Sequence, residues 1–190
     1  KFPVGELIPF ASARSEGKPV RFAGRELRAT ALKPGCFQGV DIAFFDASDA
    51  VSKEWVPQAA HAGAWVVDNS AAFRMDSDIP LVVPEVNGAL LTTRSRTSTP
   101  RERIIAGPNC STVQLVVALE PIRAQWGLKR VVVSSYQSVS GAGTAAIEEL
   151  TAQTAGVLSK TPVAPQAFPH PIAFNCIPQI GGFSGPLGAD

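Results

Sequence analysis

The sequence predicts an α/β protein built on a parallel sheet, and three observations carry that prediction. Short apolar runs at 7–11, 41–45, 64–67 and 104–106 each end in a small polar turn. A helix-length stretch separates the second run from the third, which is the spacing of a strand-helix-strand unit with parallel strands. Lastly, Gly107-Pro108-Asn109-Cys110-Ser111-Thr112 passes straight into the apolar run 113–119, which sets one cysteine at the start of a helix.

Composition bounds what such a fold can be for. With 190 residues, 45% hydrophobic and 17% charged, the chain can bury one large core or two small ones. A formal net charge of +1 and no Lys/Arg cluster give no electrostatic reason to expect nucleic acid or an anionic membrane as partner. The three cysteines, Cys36, Cys110 and Cys176, are odd in number and far apart, which argues against a disulfide framework or a zinc site. No metal centre is expected. That cysteine usage suits a reducing compartment, no apolar run is long enough to span a bilayer, and a cytoplasmic setting is expected. The chain opens at Lys1 without a methionine and stops at Asp190 in mid-composition, so both ends are expected to be cut.

In chain order, the run 7–11 reads as a buried strand leading into Ser12-Ala13-Arg14-Ser15. Two hydroxyls and a guanidinium at a strand end suit an anion such as a phosphate monoester; a solvated loop is the plainer alternative. Residues 20–22 and 25–30, joined by Ala23-Gly24, form a hairpin or edge pair. The strand at 41–45 ends in Asp46-Ala47-Ser48-Asp49, and a helix follows to about Ala62, capped in part by Ser52, kinked or restarted by Pro57 and stopped by Gly63. The strand at 64–67 ends in Asp68-Asn69-Ser70. Ligands of parallel sheets sit beyond the strands' carboxyl ends, so the turns at Ser12, Asp46 and Asp68 are expected to face one crevice.

Residues 71–84 are irregular, with Arg74 as their sole cation, and 90–103 form a polar loop. The strand at 104–106 delivers the chain to Cys110, whose helix is capped by Ser111 or Thr112 and runs to about Trp126 despite Pro121. A helix start presents unpaired N–H groups and the positive end of its dipole, both of which favour a thiolate, the nucleophilic form. A buried cysteine in a capping turn is the bland alternative. Residues 129–136 are β-branched enough to predict a strand, followed by a loop with Gly141 and Gly143 and a helix at 145–158. Gly-Ala-Gly alone is a weak phosphate-loop signal. Beyond Lys160, prolines at 162, 165, 169, 171, 178 and 186 predict an extended, irregular crossing.

Read together, these segments resemble aspartate-semialdehyde dehydrogenases of the bacterial type. The pieces are Ala11-Ser12-Ala13-Arg14-Ser15, Asp68-Asn69-Ser70 with Ala72-Phe73-Arg74-Met75, Val83-Pro84-Glu85-Val86-Asn87, Pro108-Asn109-Cys110-Ser111-Thr112, and Ser135-Tyr136-Gln137-Ser138-Val139-Ser140-Gly141, in that order. The resemblance implies a Rossmann-like nucleotide domain over 1–108, lacking its first strand, and the start of an α/β catalytic and dimerisation domain over 109–190. It implies an NADP-dependent phosphorylating dehydrogenase, a homodimer, that interconverts aspartyl phosphate and aspartate semialdehyde through a cysteine thioester in lysine, threonine and methionine biosynthesis. By the same resemblance, Cys110 is expected to take the nucleophile's place, Gln137 to orient the substrate, and Arg74 and Asn109 to hold the phosphate. It likewise implies that Ser12, Arg14 and Ser15 hold the 2′-phosphate of NADP, and that Ser140 and Gly141 contact the cofactor near its nicotinamide.

Departures from the pattern matter too. The family's glycine-rich loop would precede Lys1, and its catalytic histidine and substrate-binding arginine would follow Asp190. His61 and His170 do not replace them, so these 190 residues alone are expected to turn over little substrate. The turn at Asp46 and Asp49 departs from the family's small glycine-containing one, which puts two carboxylates near a pyrophosphate's path. Two alternatives stay open: an N-acetyl-glutamyl-phosphate reductase, which uses the same thioester logic, and a non-catalytic, dimer-forming piece.

Overall fold

A computed structural model describes residues 2–92, 94 and 99–180, and the chain divides into two compact units, Lys1–Val131 and Val132–Asp190. The first unit contains β1 (Phe10–Ala11), β2 (Pro19–Phe22), β3 (Arg25–Arg28), β4 (Thr30–Ala31), β5 (Ile42–Phe45), α1 (Asp49–His61), β6 (Trp65–Asp68), α2 (Pro84–Asn87), β7 (Ile104–Ala106) and α3 (Cys110–Trp126). The second contains α4 (Thr144–Ser159), introduced by the short 3-10 turn Val139–Ala142.

The expected parallel sheet is β5-β6-β7, in which Phe45 pairs with Asp68 and Asp68 with Ala106. Its strands therefore end level with one another, and their turns leave from one edge. Helix α1 covers the sheet with Val56, Ala59 and Ala60, all fully buried, against a core of Ala43, Phe45, Ala64, Val66, Ile104 and Ala106. Truncating Val56 there would cost about 2 kcal/mol.

The ends of α1 show why it starts and stops where it does. Ser48, in extended conformation, caps it by accepting from the Val51 N–H. Ser52, the expected cap, instead lies inside the first turns and is fully buried. Pro57 does not interrupt the helix, which runs as one element. It closes with Gly63 at φ 104°, where the Ala64 N–H donates to the Ala59 carbonyl and the Gly63 N–H to that of Ala60. This paired pattern needs a left-handed residue and so favours glycine.

The hairpin β2-β3 forms in the expected place, turning through Ala23 at φ 47° and Gly24 at φ 79°. The strand expected at 7–11 shrinks to β1, which pairs in parallel with β4 and not with the main sheet. The Ser12 turn therefore does not leave from the same sheet edge as the turns at Asp46 and Asp68. Ladder bonds need a neighbouring strand, and β1 finds one only in β4. What joins it to the core is aromatic packing: Phe10 lies 5.2 Å from Phe37, and Phe37 lies 5.9 Å from Phe45, centroid to centroid.

Helix α3 runs unbroken through Pro121 and ends at Gly127, as expected. The strand expected at 129–136 is not formed; Val132 is 76% and Tyr136 86% exposed. β-branched residues favour extended backbone, but a strand also requires a partner ladder, and none of the described strands supplies one. In the loop expected over 90–103, Arg101–Arg103 makes a 3-10 turn, while residues 93 and 95–98 lie outside the described residues.

In the second unit, α4 holds the proline-rich crossing by its backbone. Buried Glu149 accepts from the N–H groups of Gln166 (2.7 Å) and Ala167, and buried Gln153 accepts from Ile172 (2.8 Å) and Ala173 (3.2 Å). Gln153 in turn donates to Glu149 at 3.1 Å. Gly156 permits close approach, since a Cβ there would lie 2.5 Å from the Thr161 carbonyl oxygen. The crossing is irregular through residue 180, as expected; Pro186 lies outside the described residues.

Candidate active site

The ends of β6 and β7 build the Cys110 turn. Beyond the last ladder pair, the Gly107 N–H donates to the Asp68 carbonyl at 2.8 Å and extends the pairing by one residue. Arg74 then spans the gap between the two segments leaving β6 and β7: its Nε donates to the Gly107 carbonyl and its Nη2 to the Asn69 carbonyl, each at 2.9 Å. A Cβ at Gly107 would stand 3.0 Å from Asn69 Oδ1, close enough that the Asn69 side chain would have to give way.

Cys110 is the first residue of α3, and its side chain is exposed. The cap is Asn109, in place of the expected Ser111 or Thr112. Asn109 Oδ1 accepts from the Ser111 N–H at 3.0 Å and the Ser111 hydroxyl at 2.5 Å, while its carbonyl accepts from Thr112 and Val113. An asparagine side chain reaches the N–H two residues on, which is how it displaces the hydroxyl caps. As a consequence, three of the helix's first four N–H groups are already partnered. The thiol stands at the positive end of the dipole without facing a bank of open donors. Of the other cysteines, Cys36 is partly buried against the core and Cys176 is exposed in the crossing.

The feared acidic turn is tied back. Asp49 Oδ1 accepts from the Ala71 N–H at 2.9 Å, and Asp46 Oδ1 from Asn69 Nδ2 at 3.4 Å. Each carboxylate thus spends an oxygen on the 69–71 segment. The Ser12 turn is a separate feature, a 3-10 turn over Ala13–Ser15 in which the Ser15 N–H donates to the Ser12 carbonyl at 2.8 Å. Ser12 and Arg14 are exposed, and among the described residues no ion pair holds Arg14. An untethered guanidinium beside two hydroxyls fits a phosphate monoester.

In the second unit, Gln137, Ser140 and Gly141 come together at the 3-10 turn before α4. Ser140 donates its N–H (3.4 Å) and its hydroxyl (3.1 Å) to Ser138 Oγ. Gly141 leaves the space that the Gln137 amide fills, since a Cβ at 141 would lie 2.6 Å from Gln137 Nε2.

Sequence reasoning missed one group at this site. Asp68 is fully buried and accepts from Ser52 Oγ (2.8 Å), Ser70 Oγ (2.7 Å) and the Ser70 N–H (3.3 Å). The clue was available: Ser52 lies four residues before buried Val56, hence on the helix's inner face, and a buried hydroxyl needs a partner.

Parallel strands that end level, with an exposed thiol opening a helix beside their carboxyl edge, define an α/β protein of the ligand-binding, nucleotide-fold class. Residues 1–93 match the semialdehyde dehydrogenase NAD binding domain and residues 119–185 the semialdehyde dehydrogenase dimerisation domain. The chain belongs to the semialdehyde dehydrogenase family. It is 53% identical over 184 residues to an aspartate-semialdehyde dehydrogenase of Aquifex aeolicus, covering 96% of this chain and 53% of that one. The crystal structure of aspartate semialdehyde dehydrogenase II complexed with ASA from Vibrio cholerae superposes with a TM-score of 0.85 at 48% identity, over 96% of this chain and 53% of that one. An aspartate semialdehyde dehydrogenase with NADP from Candida albicans is more distant, with a TM-score of 0.52 at 27% identity over 65% of this chain and 40% of that one. The chain thus spans about half the length of these two bacterial relatives. None of its described helices is long and apolar enough to cross a membrane.

Proposed function

We propose that this chain carries the nucleophile and much of the nucleotide site of an NADP-dependent, phosphorylating aspartate-semialdehyde dehydrogenase. The observation that carries the reading is the exposed Cys110 at the first position of α3, on a turn tied down by Arg74. In the oxidative direction, the Cys110 thiolate adds to the aldehyde carbon and forms a C–S bond and an alkoxide. That adduct loses hydride to become a thioester. A phosphate oxygen then attacks the acyl carbon, the C–S bond breaks, and acyl phosphate leaves with the thiolate restored. The nicotinamide, when bound, supplies the hydride acceptor. The biosynthetic direction, toward lysine, threonine and methionine, runs these steps in reverse.

This chain's own groups have the following parts. Arg74 and Asn109 hold the phosphate, Gln137 orients the substrate carbonyl, and Ser140 and Gly141 line the nicotinamide end. Arg14, with Ser12 and Ser15, takes the 2′-phosphate, in keeping with its untethered guanidinium and with the NADP named in the Candida albicans structure. The division of roles at 108/109, nucleotide before and catalysis after, sits beside a division of packing at 131/132. A homodimer formed through the dimerisation domain and a cytoplasmic setting complete the reading.

Alkylation by iodoacetamide, followed by mass spectrometry, tests the nucleophile. Cys110 is expected to react several-fold faster than Cys176, which is also exposed. Equal rates would remove the basis of the proposal. For the cofactor, Arg14→Ala in the complete enzyme should raise KM for NADP roughly tenfold or more and leave that for NAD unchanged, the worth of one charge-assisted hydrogen bond.

A further inference from the structure

Asp68 stands where three pieces of the first unit meet, at the end of β6, under α1 and beside the start of the Cys110 turn. Its side chain ties α1 to the turn that follows β6. Oδ1 takes the Ser52 hydroxyl of α1 at 2.8 Å, and Oδ2 takes the Ser70 hydroxyl at 2.7 Å. Its main chain reaches forward, accepting from the Gly107 N–H at 2.8 Å. A carboxylate with no exposed surface keeps its place only where its donors are fixed, and here one donor comes from a helix that is itself locked onto the sheet by Val56, Ala59 and Ala60. Position is therefore passed from α1 to the 68–70 turn, and from that turn to Gly107 and Arg74, three residues short of the thiol.

We propose that Asp68 is a positioning residue for Cys110: its buried carboxylate anchors the 68–70 turn to Ser52, and through Gly107 and Arg74 that turn fixes where the Cys110 turn and the start of α3 stand. The proposal rests on the reading of Cys110 as nucleophile. Asp68 touches neither substrate nor cofactor in this role. It acts through the backbone of Gly107 and the fork of Arg74, whose two carbonyl acceptors, Asn69 and Gly107, lie on the two segments being joined.

The test uses the 190-residue chain with Asp68→Ala, Asp68→Asn and Ser52→Ala. Two quantities are read: hydrogen exchange at the Gly107 amide, and iodoacetamide alkylation of Cys110 with Cys36 and Cys176 as internal references. Asp68→Ala should speed Gly107 exchange about tenfold or more and slow Cys110 alkylation toward the Cys176 rate, with the two reference cysteines unchanged. Asp68→Asn retains one acceptor oxygen and should recover part of both effects. Ser52→Ala, which removes a single donor, should fall between wild type and Asp68→Ala. If Asp68→Ala does not fold, the Asn and Ser52 variants give the same ordering. Unchanged Gly107 exchange in folded variants would overturn the proposal, as would equal changes at all three cysteines, which signify general loosening. Should wild-type Cys110 prove no faster than Cys176, the nucleophile reading fails on its own, while Gly107 exchange still decides whether Asp68 holds the turn.

Discussion

The two units each fix a piece of irregular backbone with a buried carboxylate, and they do so differently. In the first, Asp68 receives two hydroxyls and one N–H, and the turn it anchors is also held by a sheet ladder, by Asp49 and by both arms of Arg74. In the second, Glu149 receives main-chain N–H groups directly from the crossing, helped by Gln153 and by the close approach at Gly156. The Cys110 turn is thus cross-braced from several elements, whereas the crossing hangs from one face of one helix. Redundant bracing suits the role proposed for Cys110, since covalent chemistry needs its groups placed to within a fraction of an ångström. Bracing from one helix suits backbone that has only to be kept in place.

The largest effect that would break this contrast is at Arg74. If the guanidinium both clamps the turn and binds phosphate, Arg74→Ala in the complete enzyme should raise KM for phosphate by roughly ten- to hundredfold, equivalent to about 1.5–3 kcal/mol. It should also speed exchange at the Gly107 amide. Arg74→Lys keeps the charge but lacks the planar fork whose separated Nε and Nη2 meet the two carbonyls, so it should restore phosphate binding in part and leave Gly107 loose. Phosphate binding and Gly107 protection falling together in both variants would show a single role.

A smaller effect sharpens the other side. Gly156→Ala would place a methyl 2.5 Å from the Thr161 carbonyl oxygen and 3.0 Å from Val163 Cγ2. Backbone cannot swing away as a side-chain tip can, so the crossing must shift, at about 1–3 kcal/mol. Thermal melting should fall accordingly, although alanine is the better helix former. A raised melting temperature would show that the crossing is not closely seated on α4.

How much of this was legible in the sequence follows from the range of the forces. Helices α1, α3 and α4, the hairpin and the strands at 42–45, 65–68 and 104–106 are written in local pattern, and all formed within a few residues of expectation. The placement of Cys110 at a helix start was legible too. Features that depend on a distant partner were not. The β-branched run at 129–136 has the composition of a strand and no ladder to join. The cap passed from Ser111 to Asn109, because side-chain reach and not residue preference alone decides which oxygen meets an N–H. Asp68 was read as part of a polar turn, since its partner lies sixteen positions upstream and only the helical spacing of Ser52 to Val56 hinted at it.

The smallest effect is one of pH, and it falls on the unit with one-sided bracing. The Ala167 N–H, foremost among several donors, holds Glu149 below the usual carboxylate range, against the opposing pull of burial. A depressed folded-state value means that the clamp's contribution is complete above the ordinary glutamate value of 4.5 and is lost as pH falls through the folded one. Hydrogen exchange at Gln166 and Ala167, corrected for intrinsic rates, should therefore show protection that is flat near neutrality and collapses in acid. The Ala64 amide, which donates to a helix carbonyl and to no acid, is the reference and should not follow. Glu149→Gln should remove the acid step altogether, because the amide has no proton to gain in that range. It should also weaken the clamp at every pH, since one of its two acceptor oxygens is replaced by a donor. An acid step that survives in Glu149→Gln would assign the crossing's pH response to other groups and leave α4 holding it through Gln153 and Gly156.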